Sequence, residues 1–164
     1  MKKNFVSMVI ACSALVLLGS CATTEERAAR LAEKARKVTL ALSERKFTIL
    51  VDRMYPLRGS SKRISYGYTV EVRNDSLFSY LPYFGRAYAI PYGGGKGLIF
   101  SAPINSYQEY QKKDNLRYIE IGVTNEEDTY LYVIEVFGNG KAAIGVQPRQ
   151  REHISYSGEM EVDE

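Results

Sequence analysis

Tryptophan is absent from this chain, histidine occurs once, cysteine twice and proline five times. Each scarcity excludes a class of chemistry. One imidazole, His153, cannot build a histidine-based metal cluster. Cys12 lies inside an N-terminal apolar segment, so Cys21 is the one cysteine left once that segment is removed. A disulfide framework, a CxxC redox pair and a thiolate zinc site are therefore excluded. No apolar run reaches the roughly 20 residues of a membrane-spanning helix. The longest, Phe5 to Leu18, is interrupted by Ser7 and Ser13. Excess charge is also scarce, at 22 basic against 19 acidic residues. That balance argues against a nucleic-acid partner.

The N-terminus has the form of an export signal. Lys2 and Lys3 precede the apolar segment, which ends Leu18-Gly19-Ser20-Cys21. Leucine, two small residues and cysteine form a bacterial lipobox, with the Cys21 thiol as the lipid attachment point. Residues 1–20 are expected to be removed. The charge then falls to 20 basic against 19 acidic residues, or +1. The expected location is the cell envelope, anchored through the lipid on Cys21. The periplasmic or surface side of the outer membrane is favoured over the inner membrane, because Ala22 stands where an aspartate retains some lipoproteins.

Residues 21–45 are expected to comprise the anchor and a helix. Thr23 and Glu26 fit a capping box, and Ala28, Leu31, Ala35, Val38 and Leu42 share one stripe. From residue 46 to 158 the period becomes that of strands. Phe47 to Val51 alternates, Tyr55 to Ser61 reads as a loop, and Ile64 to Arg73 alternates over its whole length. Ser76 to Tyr80 returns after an Asn74-Asp75 turn, and Leu98 to Ala102 forms another strand. Ile104 to Asn115 is polar on both faces and reads as a loop or irregular edge. Leu116 to Thr124 and Thr129 to Phe137 flank an acidic turn. The second is apolar on both faces and should be a central strand with Val133 fully buried. Asn139-Gly140 turns the chain into Ala142 to Val146, and His153 to Ser157 adds a last short strand. Residues 159–164 read as a frayed acidic tail. The expected fold is mainly β: a curved or partly closed antiparallel sheet of seven to eight short strands with one N-terminal helix. A two-sheet sandwich is the alternative.

What stands out is Leu81-Pro82-Tyr83-Phe84-Gly85-Arg86-Ala87-Tyr88-Ala89-Ile90-Pro91-Tyr92, followed by a glycine-rich stretch. Gly93-Gly94-Gly95-Lys96-Gly97 is not a phosphate loop, because Gly97 replaces the required Ser/Thr and a strand, not a helix, follows. Glu126-Glu127-Asp128 points its carboxylates in different directions, unlike a calcium site. No serine sits in a G-x-S-x-G elbow. These residues imply no catalytic residue, no metal and no cofactor. Tyr83, Arg86, Tyr88 and Tyr92 are the candidate ligand-binding residues, tyrosines supplying flat amphipathic faces and arginine a forked donor. The competing reading makes the segment structural, with Tyr83 and Phe84 in the core and Arg86 paired inside the fold.

Lipobox, helix and Leu81-Pro82-Tyr83-Phe84-Gly85-Arg86-Ala87 resemble a family of small exported Bacteroidota proteins, domain of unknown function 4251. The Ile99-Phe100 strand, the Asn139-Gly140 turn and Ile154-Ser155-Tyr156-Ser157-Gly158 add to the resemblance, which spans roughly Phe47 to Gly158. It implies an envelope lipoprotein and brings no activity or catalytic residues. The expected function is a non-catalytic binding or accessory module, with a glycan or an envelope protein as partner. The alternatives are a structural component of an envelope complex and a carboxylate-based hydrolase.

Overall fold

A computed structural model describes residues 24–65, 67–89, 96–113 and 115–162. Among the described residues one helix, α1 (Thr24–Ser43), precedes nine strands. These are β1 (Phe47–Pro56), β2 (Lys62–Arg63), β3 (Thr69–Arg73), β4 (Ser76–Leu81), β5 (Leu98–Lys113), β6 (Leu116–Thr124), β7 (Thr129–Phe137), β8 (Lys141–Pro148) and β9 (Ile154–Met160). Each strand from β3 to β9 pairs antiparallel with the next, and β9 returns to β1. The result is a closed eight-stranded barrel with β2 as one extra strand along the β3 side of β1. Closure removes the exposed edges that an open sheet would leave, so the curved-sheet expectation holds and the sandwich does not.

Alternation along each strand fills the interior. Ile121, Tyr132, Val146 and Ile154 are successive register partners across β6 to β9, and all are buried. Burying each such side chain contributes about 1.5–3 kcal/mol. Tyrosine replaces tryptophan as the large core residue, and the hydroxyls of Tyr132 and Tyr156 find acceptors. Tyr132 Oη donates to Ser79 Oγ at 2.8 Å, and Ser79 Oγ donates to the Leu98 carbonyl at 2.7 Å. The β1–β9 seam is tight: a side chain at Gly158 would run into the backbone of Leu50.

The α1 residues from Ala32 onward cover one end of the barrel. Val38 and Leu42 belong to the core cluster. The helix stops in a Schellman arrangement. Lys46 N donates to the Ala41 carbonyl, Arg45 N donates to the Leu42 carbonyl, and Arg45 takes a positive φ of 51°. Lys34 pairs with Glu159 at the far end of β9. Among the described residues no helix is long and apolar enough to cross a membrane.

Five local expectations change. Ile104 to Lys113 is not a loop but the second half of the 16-residue β5, because backbone pairing with β6 does not need an apolar face. Ile64, Ser65, Gly67 and Tyr68 are not strand, because Gly67 at φ 103° breaks the alternating run before β3. Tyr55 and Pro56 belong to β1, not to a loop, held by Ser155 and Ile154 of β9. Val133 is half-buried, because closure turns Tyr132 and Ile134 inward and Val133 outward. Glu159 and Met160 are not frayed: Met160 is buried and its N–H donates to the Gly140 carbonyl.

Candidate binding surface

The end opposite α1 is closed by three connections: residues 82–89 after β4, the β6–β7 turn at 125–128, and residues 149–153 between β8 and β9. Pro82 is the first fixed point, its carbonyl accepting the Tyr156 hydroxyl at 2.7 Å. Tyr83 then folds back over Gly85, where a Cβ would meet its ring and hydroxyl. This close approach explains the glycine. The Tyr83 hydroxyl shares its proton between the Arg86 carbonyl at 3.0 Å and the Glu152 carbonyl at 2.9 Å. Burial, and then the Glu152 carboxylate, push its pKa up, so it remains a donor at neutral pH.

The sequence reading missed Glu152, which is 4% exposed. Its Oε2 accepts the Arg86 N–H at 3.1 Å, and its own N–H donates to the Arg86 carbonyl at 2.9 Å. Arg58 Nε reaches Oε1 at 3.3 Å. Ala87 and Arg151 form an isolated antiparallel bridge, and Tyr88 N–H donates to the Gln150 carbonyl at 2.7 Å. Arg151, 8% exposed, pairs through Nη2 with Glu127 Oε2 at 2.8 Å, while Glu127 Oε1 accepts the Lys96 N–H at 3.1 Å. Asp128 accepts the backbone N–H groups of Thr129, Arg149 and Gln150. The carboxylates of Glu127 and Asp128 are thus occupied by the fold, and no group of described residues could hold a metal ion. The faint signal for this closure was the polar stretch Gln150-Arg151-Glu152 between two apolar strands.

The candidate residues separate. Tyr83 is half-buried with its hydroxyl used. Arg86 is held by its main chain, while its side chain is exposed. Tyr88 is 70% exposed. Phe84, expected in the core, is instead 52% exposed with Lys62 Nζ 3.9 Å from its ring centroid. Cys21 and Tyr92 lie outside the described residues, as do Gly93, Gly94 and Gly95. His153 is exposed, with Nε2 3.0 Å from Ser155 Oγ. A nucleophile–base pair also needs a group to orient the base, and no hydrogen bond fills that role among the described residues.

The helix-covered end has its own polar cluster. Arg45 lies 4.5 Å from the Tyr107 ring centroid, and Arg117 Nε lies 3.3 Å from Glu109 Oε1. Burial, and then Glu109, push the Tyr107 pKa up to about 12. A groove of about 500 Å³ beside it is lined by Val38, Leu40 and Ser43 of α1 with Gln111, Leu116 and Arg117.

No curated protein matches the chain. A crystal structure at 1.95 Å of a DUF4251 family protein from Bacteroides eggerthii DSM 20697 is similar in fold. The TM-score is 0.61 at 13% identity, over 80% of this chain and 89% of that chain. The family described as "Domain of unknown function (DUF4251)" matches residues 29–160, which takes in the β barrel, the polar closure at one end and the docked turns of α1 at the other, and the chain belongs to that family.

Proposed function

We propose that the protein is exported, acylated on Cys21 and held at the cell envelope, where the barrel end remote from α1 serves as a non-catalytic binding surface. The single observation behind this reading is a contrast within one segment. The backbone of Arg86 and Tyr88 is pinned by Glu152 and Gln150, yet both side chains are left in water. A fixed backbone carrying exposed aromatic and guanidinium groups lowers the ordering cost of binding. Leu18-Gly19-Ser20-Cys21 supports the tether.

Two readouts test this reading. The wild-type chain should incorporate a clickable fatty acid in cells, and Cys21→Ala should not; full labelling of the variant contradicts the tether. Arg86→Ala/Tyr88→Ala should keep the wild-type Tm while co-sedimenting at least fivefold less with lipid-free, detergent-washed envelope polymer. Unchanged co-sedimentation contradicts the binding surface.

A further inference from the structure

β5 is longer than either of its neighbours, and the stagger leaves part of it with one partner. β4 pairs with Leu98 to Pro103, and β6 with Ile104 to Lys113. The Ile104 N–H still finds an acceptor on the β4 side, the Asp75 carbonyl at 2.9 Å. Beyond it, among the described residues, no strand pairs with the β4 side of Asn105 to Lys113. Backbone N–H and C=O groups along such an edge are a template for another strand.

The edge is guarded at both ends and not in the middle. Register shifts lie at Ile104/Ser106 and at Gln111/Lys113, and Lys112 and Lys113 stand at the second. Bulges and lysines discourage edge pairing. Ser106 to Tyr110 carries neither, holds no proline, and runs in regular register with Gly122 to Tyr118. Its side chains alternate between faces. Tyr107 and Glu109 stand opposite the buried Ile121 and Ile119 and are half-buried. Ser106, Gln108 and Tyr110 are exposed on the outer face.

We propose that this edge pairs antiparallel with the same edge of a second copy, joining two barrels about a two-fold axis. Such an axis, perpendicular to the sheet, returns each residue to its own face, so the register must centre on a residue. Centring on Glu109 sets two carboxylates opposite each other, which is destabilising. Centring on Tyr107 keeps only Ser106 to Gln108 within the regular stretch. Centring on Gln108 uses all five residues. Gln108 then meets Gln108, Ser106 meets Tyr110, and Tyr107 meets Glu109 of the second copy. Charge favours the same register. Arg45 lies 4.5 Å from its own Tyr107 ring centroid and forms no ion pair among the described residues. In the pair, each Arg45 gains the Glu109 carboxylate of the other copy, which Arg117 reaches through Oε1. This edge lies at the helix-covered end, so the proposal does not rest on the binding surface at the other.

The test uses the full chain in a non-ionic detergent. It should sediment as a dimer at about 100 μM and dissociate on dilution. Gln108→Lys opposes two lysines at the centre and should weaken the dimer at least tenfold, with an unchanged circular dichroism spectrum. Arg45→Gln should weaken it at least threefold. Opposed Cα atoms in this register lie about 4.5–5.5 Å apart, within disulfide reach. Gln108→Cys should therefore form a disulfide-linked dimer on mild oxidation, above the wild-type background. Lys113→Cys should not, because its two copies lie about 30 Å apart along the strands. A monomer at the higher concentration, a dimer indifferent to Gln108→Lys, or equal linkage through positions 108 and 113 overturns the proposal. So does oxidation in cells that links Gln108→Cys to a different envelope protein and never to a second copy, which would make the edge a site for a foreign strand.

Discussion

The two ends of the barrel are closed by opposite means. At one end Leu42, 0% exposed, and Val38 plug the opening with aliphatic volume, and the helix terminates without a buried ion. At the other, Glu152, Arg151 and Asp128 are buried and hold three connections together through directed bonds. An aliphatic plug tolerates small shifts, because burial is non-directional. A polar closure does not, because each buried group must keep its partner. The polar end is therefore the one that fixes the backbone of its rim in place. Arg86 and Tyr88 emerge from that rim.

The broadest test of the comparison is alkali, because tyrosines serve both ends. The folded state holds Tyr107 at about 12, against an ordinary value near 10. Tyr132 and Tyr156 are pushed up by burial as well. A raised folded-state pKa contributes its full stability below about pH 10 and loses it as pH climbs through the folded value. Thermal melting should therefore be level up to about pH 10 and fall steeply from pH 10 to 12. A flat Tm across that window contradicts the assigned burial.

Substitutions then separate the ends. Leu42→Ala should cost about 3 kcal/mol in urea unfolding, through lost burial and a cavity; a cost under about 1 kcal/mol would mean α1 is not the plug. Arg151→Ala should cost about 2 kcal/mol, less than a fully buried pair, because Glu127 remains reachable by water. Glu152→Gln keeps an acceptor for the Arg86 N–H but turns its amide NH2 toward Arg58 and loses that ion pair, so about 1 kcal/mol is expected. Arg86→Ala should change stability by less than about 0.5 kcal/mol, because the side chain is exposed. If Arg86→Ala costs as much as Arg151→Ala, the guanidinium is structural and the surface reading fails.

The same contrast explains what could be read from the residues. α1 and β6 were legible because one period carries the burial signal, and β7 because its apolar run is bounded by turn residues on both sides. The aliphatic end followed from that stripe. β5 beyond Pro103 was not legible, because its pairing with β6 is a backbone property that a polar sequence hides. Ile64, Ser65 and Tyr68 misled in the opposite direction, belonging to an alternating run without being strand. Val133 was misjudged because apolar residues on both faces predict a buried strand, whereas in a closed barrel only one face is interior. The polar closure was nearly invisible. Arg151 and Glu152 look like solvated loop charges, and only the distant Tyr83, Arg86 and Glu127 give them partners. The central segment was correctly marked as unusual from composition, yet the reason lies 60 or more residues away in the chain.

The most direct measurement is native-state hydrogen exchange at the amides of Arg86, Tyr88 and Glu152. Each donates to a partner across the closure: the Glu152 carboxylate, the Gln150 carbonyl and the Arg86 carbonyl. A rigid polar end predicts that all three exchange at least a hundredfold slower than an unstructured chain, and that Glu152→Gln speeds the three together. Exchange at the unstructured rate, with the barrel amides still protected, would mean that this end is an open loop, with no fixed surface for Arg86 and Tyr88.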